Sequence, residues 1–183
     1  MEVELEPSVA ITPPYGVLEY SALDHTALID VARAARAALS QRARDPRWPV
    51  VILGPCLRRK DVISGGQSQP WAYTPHLPGG SAPGDEPDPI FIAMERCEGL
   101  SPLPSFSAST QLGAVMAHEL GHYLGLYHVL EADGRQDALS DTDASDRNLM
   151  LATPSASANN LSQSQIEIAR RHYAFAVSPH SQP

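Results

Sequence analysis

The chain has 183 residues, 43% of them hydrophobic, and its 13 basic and 21 acidic side chains give a formal net charge of −8. This length suits one domain that can build its own core without a disulfide framework. The acidic excess argues against nucleic acid or an anionic membrane as a partner, and no apolar run approaches the roughly 18 residues of a membrane-spanning helix.

The two ends of the chain differ from its middle. Residues 1–16 are acidic and broken by prolines, and residues 177–183 read as a frayed tail, so we expect one folded domain over residues 17–176. The first segment has neither the basic start nor the apolar stretch of a signal peptide. A cytosolic protein and a chain that has lost its leader are both compatible with this start.

Four regular elements are predicted in the first half. They are a short strand at 17–20, a helix over 25–43 with Asp24 as its N-cap, and buried strands at 49–53 and 89–94. The Gly- and Pro-rich stretch 62–89 between the last two predicts a long loop, which is unusual in a compact domain unless it is functional.

The two cysteines, Cys56 and Cys97, lie at the ends of these two buried strands. Neighbouring strands could join them in a disulfide, whereas a reducing compartment would leave two free buried thiols. The sequence favours neither alternative.

The second half predicts two helices around an acidic loop. The first helix starts at Ser107 or Ser109 and runs through Leu124, and the second covers about 162–175 with Ser162 or Asn160 as its cap. Helices and strands together indicate a single α+β domain.

The segment AHELGHYLGLYH, residues 117–128, carries the chemistry. His118 and His122 are four residues apart, so on a helix their imidazoles lie on one face and can bind one metal ion. Glu119 lies about 100° round the helix, where its carboxylate can act as a base without being a ligand. Gly125 can end the helix in a left-handed conformation and bring His128 back as the third ligand. This spacing predicts a zinc site with an open fourth position.

The pattern H-E-x-x-H-x-x-G-x-x-H resembles the signature of the metzincin zinc endopeptidases. That clan has a methionine in a tight turn beneath the metal, and Met150 of DRNLML stands where this Met-turn is expected. GHYLGLYH, followed by Asp141, Thr142 and NLM, is most similar to bacterial relatives of the pappalysins. The resemblance covers roughly residues 110–175.

The resemblance implies a zincin-like fold: a twisted mixed sheet with a backing helix, an active-site helix and a C-terminal helix. The Gly/Pro-rich loop and the strand at 89–94 would supply the rim and edge strand along which a peptide lies. It also implies a peptide or protein substrate, a monomer and secretion.

We therefore expect a zinc-dependent endopeptidase that hydrolyses peptide bonds through a zinc-bound water, with Glu119 as the general base. Val129 follows the third histidine where relatives often have a polar residue, and Ala152 stands where several have a tyrosine. These departures favour an alternative, a zinc-bound but inactive relative that binds peptides. A latent enzyme closed by its own proline-rich first 16 residues is a further alternative.

The acidic loop EADGRQDALSDTDASD indicates a second possible cofactor, calcium, because carboxylate oxygens are its preferred ligands. The spacing does not match an EF-hand, and a plain solvated loop is the favoured interpretation of these charges. The candidate calcium ligands are Asp133, Asp137, Asp141 and Asp143.

Overall fold

The computed structural model describes residues 17–39, 49–54, 56–80, 88–98, 109–131 and 133–175. Over these residues the fold is mixed α+β, as predicted. The elements in chain order are β1 (Leu18–Ser21), α1 (Thr26–Leu39), β2 (Val50–Gly54), β3 (Leu57–Lys60), β4 (Gln67–Ser68), β5 (Ala72–Tyr73), β6 (Pro89–Ala93), α2 (Ser109–Tyr123), α3 (Gln163–Arg170) and a 3-10 turn, Tyr173–Phe175. The predicted end segments, 1–16 and 177–183, lie outside the described residues.

The strands form two small mixed sheets, where the resemblance implied a single twisted one. In the first sheet β3 lies between β1, which is parallel to it, and β4, which is antiparallel; in the second, β6 lies between parallel β2 and antiparallel β5. β2 and β3 are separated by two residues, and across them the parallel partner changes from β6 to β1. This change of partner divides the strands into two sheets.

Helix α1 is the backing helix of the fold. Its buried face consists of Leu28, Val31, Ala32 and Ala35, at the i, i+3, i+4, i+7 spacing of an amphipathic helix. This face packs in one apolar cluster with residues from β1, β2, β3 and β6. Asp24 accepts the backbone N–H of Thr26 at the first turn, which satisfies one of the free donors of a helix start.

Strand β6 is buried along its whole length and separates two cores. Phe91 and Ala93 pack in the α1 cluster, whereas Ile90 and Ile92 pack with Tyr123 at the end of α2. Alternate residues of a strand point to opposite faces, so β6 connects the backing helix to the helix that carries the histidines.

The structure resolves the cysteine alternatives in favour of a disulfide. Cys56 and Cys97 are joined, their Cα atoms are 5.1 Å apart, and the bond closes a loop with a sequence separation of 41. Both residues are buried. The disulfide ties the residue before β3 to the segment after β6, and so links the two sheets.

Two predicted boundaries are wrong. The stretch 62–89 is not one long loop, because it contains β4 and β5, whose two residues each are too few to show a periodicity. The strand at 89–94 corresponds to β6, which is the central strand of the second sheet and not an edge strand; the outer strands are β2 and β5. The last helix ends at Arg170 instead of continuing to 175, and a separate 3-10 turn follows it.

No helix of the described ranges combines the length and the apolar character that a membrane crossing requires.

Candidate metal centre

Helix α2 and the turn after it bring the three histidines together. His118 and His122 lie in the last two turns of α2, which ends at Tyr123. Gly125 follows with a φ of +95°, a backbone conformation that residues other than glycine rarely adopt. The Leu126 N–H then donates to the Gly121 carbonyl at 2.9 Å. The chain thereby reverses, and His128 approaches the other two rings from outside the helix.

The three Nε2 atoms face one another at the spacing of metal ligands. The Nε2 atom of His128 is 3.0 Å from that of His122 and 3.3 Å from that of His118. Zn–N bonds of 2.0–2.1 Å in a tetrahedral site place neighbouring nitrogens about 3.3 Å apart. Among the described residues no other group of three or more His, Cys, Asp or Glu side chains converges in this way. The three histidines therefore fit a zinc ion.

The other ring nitrogen of each histidine is held by an acceptor. The Nδ1 atom of His118 donates to the Leu149 carbonyl at 2.7 Å, and the Nδ1 atom of His122 donates to the Leu126 carbonyl at 2.8 Å. In His128, Nδ1 lies 3.0 Å from the Glu131 carboxylate. Carbonyl and carboxylate oxygens only accept, so the proton of each neutral ring is on Nδ1 and the Nε2 lone pair is free for a metal. Three lone pairs this close repel one another until a cation lies between them.

Burial keeps the first two rings neutral. It lowers the pKa of His118 to about 3 and that of His122 to about 4, with the neighbouring histidine charges acting in the same direction. Backbone carbonyls at Nδ1 oppose this shift without cancelling it. Neutral imidazole is the form that binds zinc, so near pH 7 protons do not compete with the metal at these two residues.

Glu119 is buried beside His118, with 6% of its surface exposed. Burial raises the pKa of its carboxyl to about 7, although the hydrogen bond from Thr74 lowers it. The Thr74 hydroxyl donates to Glu119 Oε2 at 2.6 Å and also lies 3.1 Å from the Glu119 backbone carbonyl. A carboxyl that is half protonated near neutral pH can both take and return a proton.

Met150 packs against helix α2 at Gly121. Its side chain is fully buried, and a Cβ atom added at Gly121 would be 2.4 Å from its Sδ atom. The chain turns tightly here, with the Met150 N–H donating to the Asn148 side chain at 2.9 Å and the Met150 carbonyl accepting from Val129 at 2.9 Å. The turn thus contacts the segment of His128, and through its Leu149 carbonyl it also orients His118.

A cleft of about 380 Å³ opens at one side of the cluster. His118 and Glu119 form part of its wall. Opposite them lie residues 69–72, which include the start of edge strand β5, and residues 152–154, which follow the methionine turn.

The two departures from the resemblance have different surroundings. Val129 is 3% exposed and packs with Leu126 and Met150, so an apolar residue there serves the core of the turn. Ala152, by contrast, is exposed and lines the cleft. A tyrosine hydroxyl at that position would reach the cleft, and alanine supplies none.

The four candidate calcium ligands make local hydrogen bonds instead of meeting at one point. Asp133 accepts from the Arg135 side chain, Asp137 from Thr142, Asp141 from Ser162 and Ser164, and Asp143 from Ser145. They form no group of three potential ligands among the residues that the structure describes. Calcium binding remains a prediction that this geometry does not support.

Sequence reasoning missed two partners in the site. Thr74 lies 45 residues before Glu119 and outside any motif. Glu131, the first acid of the acidic loop, lies three residues after His128, and this place offered a signal for a ring partner. His172, outside the predicted ligand set, is buried, with its Nε2 2.7 Å from the Gly79 carbonyl.

Comparison with known proteins agrees with this geometry. Residues 103–173, less than half of the chain, match the Peptidase_M43 family model, which is described as pregnancy-associated plasma protein-A. A search among curated proteins gave no match, and a search among solved structures gave none either. The family match and the cluster of three histidines together support a metzincin-like zinc peptidase, with protein as the substrate class.

Proposed function

We propose that this chain is a zinc-dependent endopeptidase in which Glu119 is the general base. The observation that carries the proposal is the convergence of three Nε2 lone pairs, with His128 Nε2 3.0 Å and 3.3 Å from the other two, next to a buried carboxyl that lines one cleft together with His118. Zinc bound there would lower the pKa of a water molecule and polarise the scissile carbonyl. Side chains and backbone of the protein would transfer the proton and bind the substrate.

Glu119 handles the proton. Its carboxylate takes a proton from the attacking water as the new C–O bond forms, and it later gives that proton to the departing amine as the C–N bond breaks. Burial favours the neutral carboxyl and the Thr74 hydroxyl favours the carboxylate, so both forms are accessible near neutral pH. One carboxyl can thus serve both steps.

The substrate would lie along the edge of the second sheet. Within the described ranges β5 pairs with β6 alone, and we propose that its other side pairs with an extended peptide. Residues 69–72 line the cleft opposite His118 and Glu119, so such a peptide would pass the acid and the metal site. We further propose that Gly125 and Met150 shape this site, the first by reversing the chain and the second by supporting α2.

The test is cleavage of a quenched-fluorescent peptide library by the purified protein. We expect hydrolysis that a chelator abolishes and one equivalent of zinc restores. Glu119→Gln should bind zinc as the wild type does and lose at least about 100-fold in kcat, because a general base contributes about 100- to 10,000-fold. Glu167→Gln is the matched control, since Glu167 is exposed on α3 and bonds only to Gln163 nearby. Unchanged turnover by Glu119→Gln would contradict the mechanism.

The second candidate function is a zinc-bound peptide-binding module without turnover. The exposed position of Ala152 in the cleft favours it, because no hydroxyl there can stabilise the oxyanion. It predicts one zinc per chain and saturable peptide binding, yet no cleavage of any library member. The same library experiment therefore distinguishes the two functions.

A further inference from the structure

The Thr74 hydroxyl makes polar contacts with Glu119, the proposed general base. Thr74 directly follows β5 and is 5% exposed. Its hydroxyl approaches two oxygens of one residue, Glu119 Oε2 at 2.6 Å and the Glu119 backbone carbonyl at 3.1 Å. A hydroxyl donates one hydrogen bond and can accept two. The short distance to Oε2 identifies the carboxylate as the main acceptor.

The position of Thr74 is set by the sheet edge. Ala72 and Tyr73 pair with β6, and the Tyr73 ring stacks on Tyr20 with centroids 4.4 Å apart. The Tyr73 hydroxyl also lies 3.2 Å from His25 Nε2, at the start of α1. The residue before Thr74 is thus held on two sides, and the Thr74 hydroxyl reaches Glu119 from a rigid support.

We propose that Thr74 is a positioning residue that holds the Glu119 carboxylate by one oxygen and leaves the other for the water. This inference deepens the proposed function and rests on it. Among the described residues no hydrogen bond is made to Glu119 Oε1. A single anchor on Oε2 fixes the side chain against rotation while the second oxygen remains available at the cleft.

A hydroxyl donor is suited to this position because Oε2 remains an acceptor throughout. When Glu119 carries the proton taken from water on Oε1, Oε2 is the carbonyl oxygen of the acid and can still accept from the Thr74 hydroxyl. The contact then persists through the reaction. Valine has the shape of threonine but no hydroxyl, whereas serine retains the hydroxyl.

The test compares Thr74→Val and Thr74→Ser with the wild type in kcat, KM and zinc affinity. We expect Thr74→Val to lower kcat by about 10- to 100-fold, since it leaves a charged acceptor without its partner and misplaces the base. KM and zinc affinity should stay within about twofold, because the hydrogen bonds described for Thr74 go to Glu119 and not to a histidine. Thr74→Ser should recover most of the lost kcat, which a purely structural role of the methyl group would not produce.

Thr142→Val is the matched control, because it removes an equally short hydroxyl–carboxylate bond, 2.6 Å to Asp137, from the acidic loop. It should leave kcat unchanged. Thermal unfolding of each variant checks folding, and Thr74→Ala, which leaves room for a water, replaces the valine variant if that variant is unstable.

Failure of this inference differs from failure of the proposed function. Loss of kcat in Glu119→Gln together with wild-type kcat in Thr74→Val and Thr74→Ala would overturn the role of Thr74 alone. Equal losses in the valine and serine variants would also overturn it. No turnover by the wild type would instead reject the proposed function.

Discussion

Each histidine of the metal centre is oriented at its Nδ1 by a different part of the chain. Leu149 comes from the methionine turn, Leu126 from the reversal after α2, and Glu131 from the start of the acidic loop. Two of these acceptors are backbone carbonyls that no substitution removes directly. Glu131 is the one side chain among these three acceptors, so a substitution can test its contribution to the orientation of His128.

Glu131→Gln should weaken zinc binding by about 10- to 100-fold, because a charged partner at Nδ1 raises the basicity of a ligand histidine and fixes its orientation. Competition with a fluorescent zinc chelator measures the affinity. Glu167→Gln, on α3, should bind zinc as the wild type does. Equal affinities for all three proteins would show that His128 needs no carboxylate.

Gly121 and Gly113 lie in the same helix but in different surroundings. A Cβ atom at Gly121 would collide with Met150, whereas nothing lies within 4 Å of one at Gly113. Gly121→Ala should therefore destabilise the fold by about 1–3 kcal/mol through overpacking. Gly113→Ala should stabilise it by up to about 1 kcal/mol through helix propensity. Urea unfolding measures both, and a neutral Gly121→Ala would refute this close packing.

The spacing of the histidines predicted the ligand set from sequence, because residues four apart on a helix lie on the same face. The Thr74 contact could not be predicted in this way. It joins residues 45 apart through a two-residue strand, and a contact of that kind depends on tertiary pairing alone.

At the scale of elements, the predictions held where a periodic apolar pattern was long enough to measure. Helices α1 and α2 and strands β2 and β6 carry such patterns and were predicted close to their observed bounds. Strand β3 was not anticipated, because only Leu57 of its four residues is buried and the others are basic. Strands β4 and β5 have two residues each, which is too few to show a repeated pattern.

The start of α3 shows how the acidic loop serves the fold. Ser162 caps the helix in a capping box with Gln165, and the Asp141 carboxylate accepts from the Ser162 hydroxyl at 3.0 Å and from the Ser164 N–H at 2.9 Å. An acid at a helix N-terminus is stabilising. Asp141 therefore acts as an additional cap for α3 in this structure.

Asp141→Asn should lower the stability of the protein at neutral pH, and Asp143→Asn, which affects only its own turn at Ser145, should not. The hydrogen bonds from Ser164 and Ser162 lower the pKa of the Asp141 carboxyl in the folded state. Its contribution is therefore present above the ordinary pKa and is lost as the pH falls below about 4. Thermal unfolding from pH 7 to pH 3 should show the difference between wild type and Asp141→Asn shrinking; a constant difference would contradict this role.

At the scale of the molecule, the apolar clusters of α1 and of α2 meet at β6. Patterns within segments predicted the α+β class and the helix α1, whereas the role of this helix in backing the sheet was implied by the resemblance. The division into two sheets depends on where β2 and β3 change partners, and no local pattern encodes this. The Cys56–Cys97 disulfide lies at this division and stabilises it.

Reduction of the disulfide should lower the free energy of unfolding by up to about 4 kcal/mol, and the Tm by about 10 °C, as the loss of a cross-link over a loop of this length implies. The double variant Cys56→Ala, Cys97→Ala should behave like the reduced protein and should still bind zinc, because neither cysteine belongs to the histidine cluster. Calorimetry with and without reductant measures the effect. An unchanged Tm would mean that the link adds nothing to the fold.

The central claim is that three imidazoles bind one zinc ion, and X-ray absorption at the zinc edge tests it most directly. Protein loaded with one equivalent of zinc should show three histidine nitrogens and one oxygen ligand at about 2.0–2.1 Å, with no sulfur. Each of His118→Ala, His122→Ala and His128→Ala should remove one histidine contribution or the bound metal altogether. A wild-type spectrum with fewer than three histidines, or one that none of these substitutions changes, would contradict the account.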